Sequence, residues 1–191
     1  DHPLLLSAQE MLASGETGNA AFLLDDSLPP RSAILEAVFV LECIAPLQLN
    51  AERFLPAEPI TVAIDSKLQL RADFAPNERA SVRAGDRQYD ISPMRKVLAA
   101  LVPPMLESAR AESASLCALR ADAAVAAADA LLGAEILRIE ALARVNASVR
   151  AEEIQALRDE RSQLLAVLPN ARPRLDSVRL VASADFLSFR R

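Results

Sequence analysis

A long stretch without proline follows Pro104 and limits the folds open to this chain more than any other feature. It continues to about Val145, contains one glycine, Gly133, and is dominated by alanine and leucine. Alanine is the strongest helix former, so we expect one helix here, and about 40 residues at 1.5 Å each make a rod roughly 60 Å long. Because alanine lets a neighbouring backbone approach closely, this helix is expected to pack tightly against protein.

The residues on either side of Asn146 predict an antiparallel helical hairpin, because one apolar stripe precedes the break and another follows it. The stripes consist of Leu132, Ile136, Ile139 and Leu142, then Ile154, Leu157, Leu164 and Leu168. Asn146 is expected to adopt the left-handed conformation, and Ser148 to cap the second helix. That helix, about 18 residues or roughly 27 Å, covers less than half of its partner. The uncovered part must pack on the sheet of this chain or on another domain.

Two residues predict where the helical region begins. Ser92 is a suitable N-cap and Pro93 a suitable first helical residue. Pro103 and Pro104 each lack an N–H group and clash with the preceding turn, so we expect them to interrupt or kink the helix.

The remainder of the chain predicts strands, because β-branched and aromatic residues lie between turn-forming ones. The expected strands are Ala20–Asp26, Ala33–Ala45, Ile60–Asp65, Leu68–Phe74 and a final strand from Leu175 to Ala182. The third and fourth form an antiparallel pair, since only Ser66–Lys67 links them. Glu36 and Glu42 fall on the wetter face of the second strand. A helix ending at Gly15 precedes these strands, and a weak hairpin is expected around Gly85–Asp86.

These elements predict an α+β fold in which an antiparallel β-sheet packs with a long helix and an antiparallel helical hairpin, and the C-terminal strand returns to the sheet. Residues 1–191 form a single domain of a larger protein. Residues 1–91 are mostly strands after an N-terminal helix, residues 92–168 are helices, and residues 169–191 are the terminal strand and a tail. The apolar side chains of this tail either dock on a neighbour or form a divergent terminus.

The residue types needed for catalysis or metal binding are scarce. The one histidine, His2, lies at the start of the chain, so nucleophile schemes that need a histidine base have none nearby. The stretch "SGETGN" (Ser14–Asn19) lacks the lysine and the preceding strand of a phosphate-binding loop and is better explained as a helix end and turn. No zinc or calcium motif is present. We expect no catalytic, cofactor or metal site in this segment.

Charge argues against strong nucleic-acid binding. Lysine and arginine number 21 against 26 acidic residues, a formal charge of −5, and no basic run occurs. Phosphate binding needs concentrated positive charge, so direct binding should be weak or absent. The alternative is that folding assembles a basic stripe near the helical hairpin, which is the candidate interaction surface. Its members are Arg138, Arg144, Arg150, Arg158 and Arg161.

The cysteines and the chain ends point to a piece of an intracellular protein. Cys43 and Cys117 lie in apolar surroundings and are expected to be reduced core thiols. No apolar run reaches the roughly 18 residues of a membrane span, and no signal region opens the chain. The sequence starts "DHPLLL" without methionine, which favours a segment of a longer protein.

Four stretches, in consistent order, carry a resemblance to a known family. They are "DHPL" with "SGETG" (Asp1–Gly18), "ILEAVFVLECIAPLQL" with "RFLP" (Ile34–Pro56), "RIEALARVNASVRAEEI" (Arg138–Ile154) and "RLDSVRLV" (Arg174–Val181). Together they resemble the C-terminal region of the RapA family, bacterial RNA polymerase-associated ATPases of the Swi/Snf family. The family more often has proline where this chain has Ala147, which should soften the joint slightly.

The resemblance implies a parent that is an ATP-driven, helicase-like translocase on DNA, a hydrolase that promotes the release and reuse of RNA polymerase in the cytoplasm and at the nucleoid. The family's ATP-binding motifs lie in motor lobes upstream, so no catalytic residue transfers to this sequence. We therefore expect a non-catalytic accessory domain whose partners are the RNA polymerase core and the parent's own motor lobes. The alternative is a self-associating structural helical module without a polymerase role.

Overall fold

The structure is a computed structural model that describes residues 20–25, 27–74, 82–83 and 92–188. The strands are β1 (Ala20–Asp25), β2 (Ala33–Glu42), β3 (Pro59–Asp65), β4 (Val82–Arg83) and β5 (Arg172–Ser183), and the helices are α1 (Arg95–Ala143) and α2 (Ala151–Val167). Short 3₁₀ segments occupy Leu47–Leu49, Ala51–Arg53, Ser92–Met94, Leu168–Asn170 and Ala184–Ser188. The helix predicted before Gly15, the hairpin predicted around Gly85–Asp86, and His2 lie outside the described residues.

The strands form one sheet in the order β3-β2-β5-β1-β4. The C-terminal strand thus returns to the N-terminal strands, as predicted, and the α+β class is confirmed. The sheet is mixed, however, and not purely antiparallel. β1 runs parallel to β5, with Ala20 opposite Val178 and Asp25 opposite Ser183. Parallel neighbours need a long connection, and the chain between β1 and β5 includes both helices, so no tight turn is required there.

Glu36 shows that β2 is buried on both faces near its start. Ala33, Ile34, Leu35 and Ala37 are each at most 1% exposed, and Glu36 between them is 2% exposed. The prediction that Glu36 faces water is therefore wrong. A buried carboxylate requires a partner, and Arg179 on β5 donates from Nε to Glu36 Oε2 at 2.6 Å.

Two sequence-predicted strands are shorter in the structure. β2 ends at Glu42, and Ile44, which was expected to extend it, is 74% exposed. Of the strand expected at Leu68–Phe74, only Leu70 pairs, antiparallel, with Ile64. The antiparallel orientation of this pairing is as predicted. Leu68 and Leu70 are both 48% exposed, however, so burial of apolar side chains does not stabilise a longer strand here.

Helix α1 continues through Pro103 and Pro104, so the prediction of an interruption is wrong. The prolines deprive the carbonyl groups of Ala99 and Ala100 of their helical donors. Both alanines are exposed, and water can satisfy those carbonyls. The helix begins close to the predicted position, since Ser92–Met94 form one 3₁₀ turn before Arg95.

The chain divides into two compact units. The first comprises residues 1–37, 63–106 and 176–191, and the second residues 38–62 and 107–175. In the first unit, hydrogen bonds fix the end of β5. The Ser183 hydroxyl donates to Asp185 Oδ1 at 2.6 Å, and the Arg31 N–H donates to the same oxygen at 3.0 Å. The Arg31 N–H and then the Ser183 hydroxyl lower the pKa of Asp185.

In the second unit, the buried side chains of α1 follow steps of four, with one step of three. They are Ala109, Ser113, Cys117, Ala121, Ala124, Ala128, Leu132 and Ile136. At 3.6 residues per turn, a step of four residues rotates about 40° beyond one full turn. The buried face therefore moves roughly halfway round the helix between Ala109 and Ile136. Different sides of α1 are therefore covered along its course.

The predicted antiparallel hairpin of α1 and α2 is present in this unit. Arg161 lies 2.6 Å from Asp129, and Arg158, earlier on α2, lies 2.6 Å from Glu140, later on α1. The predicted stripes are most buried far from the link. Leu132 and Ile136 are 4% and 7% exposed, Leu164 and Leu168 are 0% exposed, and Leu142 near the link is 38% exposed.

The link between the helices differs from the predicted caps. Asn146 is not among the residues with positive φ in the described chain; its side-chain oxygen instead accepts from the Ser148 N–H at 2.9 Å. That hydrogen bond forms a local turn without the left-handed conformation. The cap of α2 is Arg150, whose backbone is extended, and not Ser148.

Leu164 tests whether hairpin packing stabilises the second unit. We expect Leu164→Ala to lower the free energy of unfolding by about 2–5 kcal/mol, because it leaves a cavity. Leu137→Ala, at a position 68% exposed, should change it by less than about 0.5 kcal/mol. Urea denaturation measures both. Equal effects would contradict the packing described for α2.

Candidate interaction surface

The five arginines near the helical hairpin are exposed or half-buried, and four of them contact carboxylates. Arg138 pairs with Glu135 at 2.7 Å within α1, and Arg150, the N-cap of α2, pairs with Glu153 at 2.9 Å. Arg158 and Arg161 pair across the hairpin, as described above. These ion pairs neutralise most of the positive charge that the sequence places there.

Arg144 is the member of this set for which the described residues offer no carboxylate within 4.0 Å. It lies at the end of the hairpin beside Val145, which is 84% exposed, and Leu142, which is 38% exposed. We call Leu142, Arg144 and Val145 the hairpin tip. An uncompensated guanidinium beside exposed apolar side chains is typical of interaction surfaces, where arginine is enriched.

The whole hairpin is acidic despite its arginines. From Asp129 to Arg161 the sequence contains seven acidic residues and five arginines, a net charge of −2. A phosphate backbone binds surfaces with concentrated positive charge, and this surface does not supply it. The folded hairpin therefore does not concentrate positive charge on the surface that the sequence suggested.

A groove in the second unit was not predicted from the sequence. It has a volume of about 270 Å³. Leu41 of β2 and the segment from Phe54 to Glu58 form one wall, and Arg120, Ala123, Ala124 and Ala127 of α1 form the other. The lining is mostly apolar, and small alanine side chains leave the space open.

Arg120 is the polar residue of α1 in this groove, and its hydrogen bonding is incomplete. Its Nη1 is buried and has no hydrogen-bond partner among the described residues. Glu58 Oε2 lies 3.4 Å from Nη1, which places the charges close together but does not satisfy hydrogen-bond geometry. A buried donor without an acceptor costs roughly 1–3 kcal/mol.

An exposed face of α1 adjoins the groove. Between Leu116 and Ala141 this face consists only of alanine and leucine, and charged residues lie at its sides. Its members are Leu116, Leu119, Ala123, Ala126, Ala127, Ala130, Ala134, Leu137 and Ala141. Their spacing of three and four residues keeps them within about 100° of the helix circumference. We call this set the uncharged face of α1.

A second exposed apolar region follows β2. Ile44 and Leu47 are 74% and 96% exposed. Leu47 lines a small cavity of about 130 Å³ together with residues that include Cys43 and Asn50. The sequence assigned Ile44 to a strand because isoleucine favours strands. The nearby Pro46 was a signal that the strand could end earlier.

Both cysteines are free thiols that are at least partly buried. Burial raises the pKa of the Cys43 thiol, whose Sγ lies 3.8 Å from the Val167 carbonyl oxygen. Burial also raises the pKa of Cys117, while the positive charge of Arg120 acts in the opposite direction. Both thiols thus favour the protonated, weakly nucleophilic form.

Within the described part of the chain, no three His, Cys, Asp or Glu side chains gather in a way that could hold a metal ion. Neither described helix combines the length and apolarity that crossing a membrane requires. His2 and the "SGETGN" stretch lie outside the described residues, so their interpretation stays a prediction.

Comparison with known proteins relates these features to a family. Over residues 1–183 the sequence matches the family described as RNA polymerase recycling family C-terminal. The chain belongs to this family. The resemblance that four stretches of sequence indicated is thereby confirmed.

Curated relatives agree with this assignment. The chain is 33% identical over 186 residues to the RNA polymerase-associated protein RapA of Klebsiella pneumoniae, covering 95% of this chain and 19% of that protein. It is 34% identical over 193 residues to the protein of the same name from Pasteurella multocida, covering 96% of this chain and 19% of that protein. The chain therefore spans about a fifth of the length of the curated relatives it matches.

Arg120 provides a test of the groove's energetics. We expect Arg120→Met to raise the free energy of unfolding by about 1 kcal/mol, because it removes a buried donor without an acceptor and only a long ion pair. Arg53→Met is the matched control. Arg53 bonds Glu160 at 2.7 Å and lies 4.6 Å from the Phe54 ring centroid, so its loss should lower stability. If both variants lose stability equally, the Arg120 donor is satisfied in solution.

Proposed function

We propose that this chain is the non-catalytic C-terminal accessory domain of an ATP-dependent RNA polymerase-recycling factor, working in the cytoplasm through contacts with protein. The observation that carries the proposal is the family match over residues 1–183. Its relatives bear the name RNA polymerase-associated protein. The proposed partners are the RNA polymerase core and the motor lobes of the parent protein, and ATP would bind in those lobes and not in this segment.

The described surface supports a role in binding. Most hairpin arginines contact acids, which leaves their positive charge less available to a partner. The hairpin tip instead presents an arginine without a carboxylate partner and two exposed apolar residues. We propose the tip as the contact with polymerase or motor, and direct nucleic-acid binding as weak or absent because the net charge is −5.

The tip can be tested by sedimentation velocity with bacterial RNA polymerase core enzyme. We expect the chain to co-sediment with polymerase, and Arg144→Glu to weaken binding by about tenfold, because a carboxylate replaces the uncompensated cation. Arg110→Glu is the control. It is a change of the same kind on α1, about 50 Å from the tip, and should bind as the wild type does. Equal binding by both variants would refute the tip, and no binding by the wild-type chain would refute polymerase as its partner.

The uncharged face of α1 favours a second function, self-association without a polymerase role. An apolar helix face of this length is unusual on a monomer unless something covers it. The same sedimentation runs decide the matter, since the chain alone should sediment as a monomer near 20.6 kDa if the first proposal holds. A dimer that excludes polymerase would favour the alternative.

The absence of catalysis is tested directly. We expect the purified chain to hydrolyse ATP no faster than buffer, with or without double-stranded DNA, because the proposed motor lies in other parts of the parent. Phosphate release is the measurement, and the full-length parent is the positive control. Turnover by the chain that survives a further purification step would overturn the proposal.

A further inference from the structure

The groove between α1 and the segment from Phe54 to Glu58 has the features of a peptide-binding site. We propose that it binds a partner protein segment in which a carboxylate lies next to apolar side chains, with Arg120 holding the carboxylate. This inference deepens the proposed function, on which it rests, by giving the chemistry of one partner contact.

The need for an acceptor comes from Arg120 itself. Its Nη1 is buried without a hydrogen-bond partner among the described residues, although its side chain as a whole is 41% exposed. The exposed part of the side chain is open to a ligand, while Nη1, the unused donor, becomes reachable only when the neighbouring Glu58 side chain turns away. A carboxylate accepts two parallel bonds from a guanidinium, which makes it the best-matched ligand.

Glu58 does not fill this role. Its Oε2 is 3.4 Å from Arg120 Nη1 without a hydrogen bond, and its side chain is 59% exposed. It can turn toward water when another carboxylate arrives. Three other arginines of the second unit, Arg53, Arg158 and Arg161, instead have carboxylate bonds of 2.7 Å or less.

The apolar part of the ligand follows from the rest of the lining. Leu41, Phe54 and Pro56 face the groove, and Ala123 and Ala127 line it on the α1 side without projecting far. The same two alanines belong to the uncharged face of α1, which continues beyond the groove. A segment seated in the groove can therefore extend along the helix, where small side chains permit close backbone approach.

Charge favours protein over other ligands with negative groups. A nucleic acid presents a row of phosphates, and the groove offers Arg120 alone beside the acidic Glu58. A single carboxylate within an apolar segment needs one cation and an apolar wall, and the groove supplies both. Binding should consequently depend only weakly on salt, because one charge pair is involved.

Selection from short random peptides displayed on phage tests the inference with the purified chain. We expect enrichment of peptides in which Asp or Glu adjoins Leu, Ile or Phe. A synthetic copy of the enriched peptide and its amide counterpart, with Gln for Glu or Asn for Asp, are then measured by fluorescence anisotropy. Arg120→Gln and Ala127→Leu should each weaken the acidic peptide by about tenfold, the first by removing the cation and the second by filling the groove.

Two controls separate this inference from the proposed function and from misfolding. Arg110→Gln, on the same helix outside the groove lining, should bind the peptide as the wild type does. The amide peptide should bind the wild type and Arg120→Gln with equal affinity, because it lacks the carboxylate through which Arg120 would act. Any of three results would overturn the groove assignment. Acidic peptides are not enriched, Arg120→Gln binds the acidic peptide as tightly as the wild type does, or Arg120→Gln changes its oligomeric state. Polymerase co-sedimentation would persist if only the groove assignment fails.

Discussion

The second unit depends on close packing against α1, a helix with too few large side chains to form a core by itself. Half of its buried residues in this unit are alanine, and Cys117, Leu132 and Ile136 are among the larger ones. Small side chains contribute little apolar area each, so burial requires neighbours that approach the backbone closely. Because the buried face moves around the helix, no single neighbour can cover it. The segment between β2 and β3 covers one side, and α2 covers another.

The sequence predicted the elements whose patterns are local. Alanine content predicted the long helix, and the stripes through Leu132 and Leu164 predicted the hairpin. Three features depended on surroundings that the pattern does not contain. Pro103 and Pro104 remain helical because the carbonyls they leave open are exposed, and the parallel pairing of β1 with β5 follows from tertiary contacts. Glu36 is buried because an arginine more than a hundred residues later meets it.

The sequence predicted where the arginines of the candidate surface lie, but not which of them pair with acids. The sequence located a cluster of arginines near the hairpin, yet composition cannot show which arginine has an acid beside it after folding. Arg158 and Arg161 reach acids on the other helix, and only the folded hairpin makes those pairs. The groove had no sequence signal at all, since Arg120 and Glu58 are 62 positions apart. Their juxtaposition is a product of the fold.

Arg120 links stability to the proposed role. Buried donors without acceptors are rare in folded proteins, and each one that persists calls for a physical reason. A methionine at position 120 would fill similar space without that cost, so the fold alone does not account for an arginine there. A site that binds a carboxylate does account for it, because the unused donor is satisfied when the ligand is bound. The same residue then lowers the stability of the free domain and strengthens its complex, as expected where binding and stability make opposite demands.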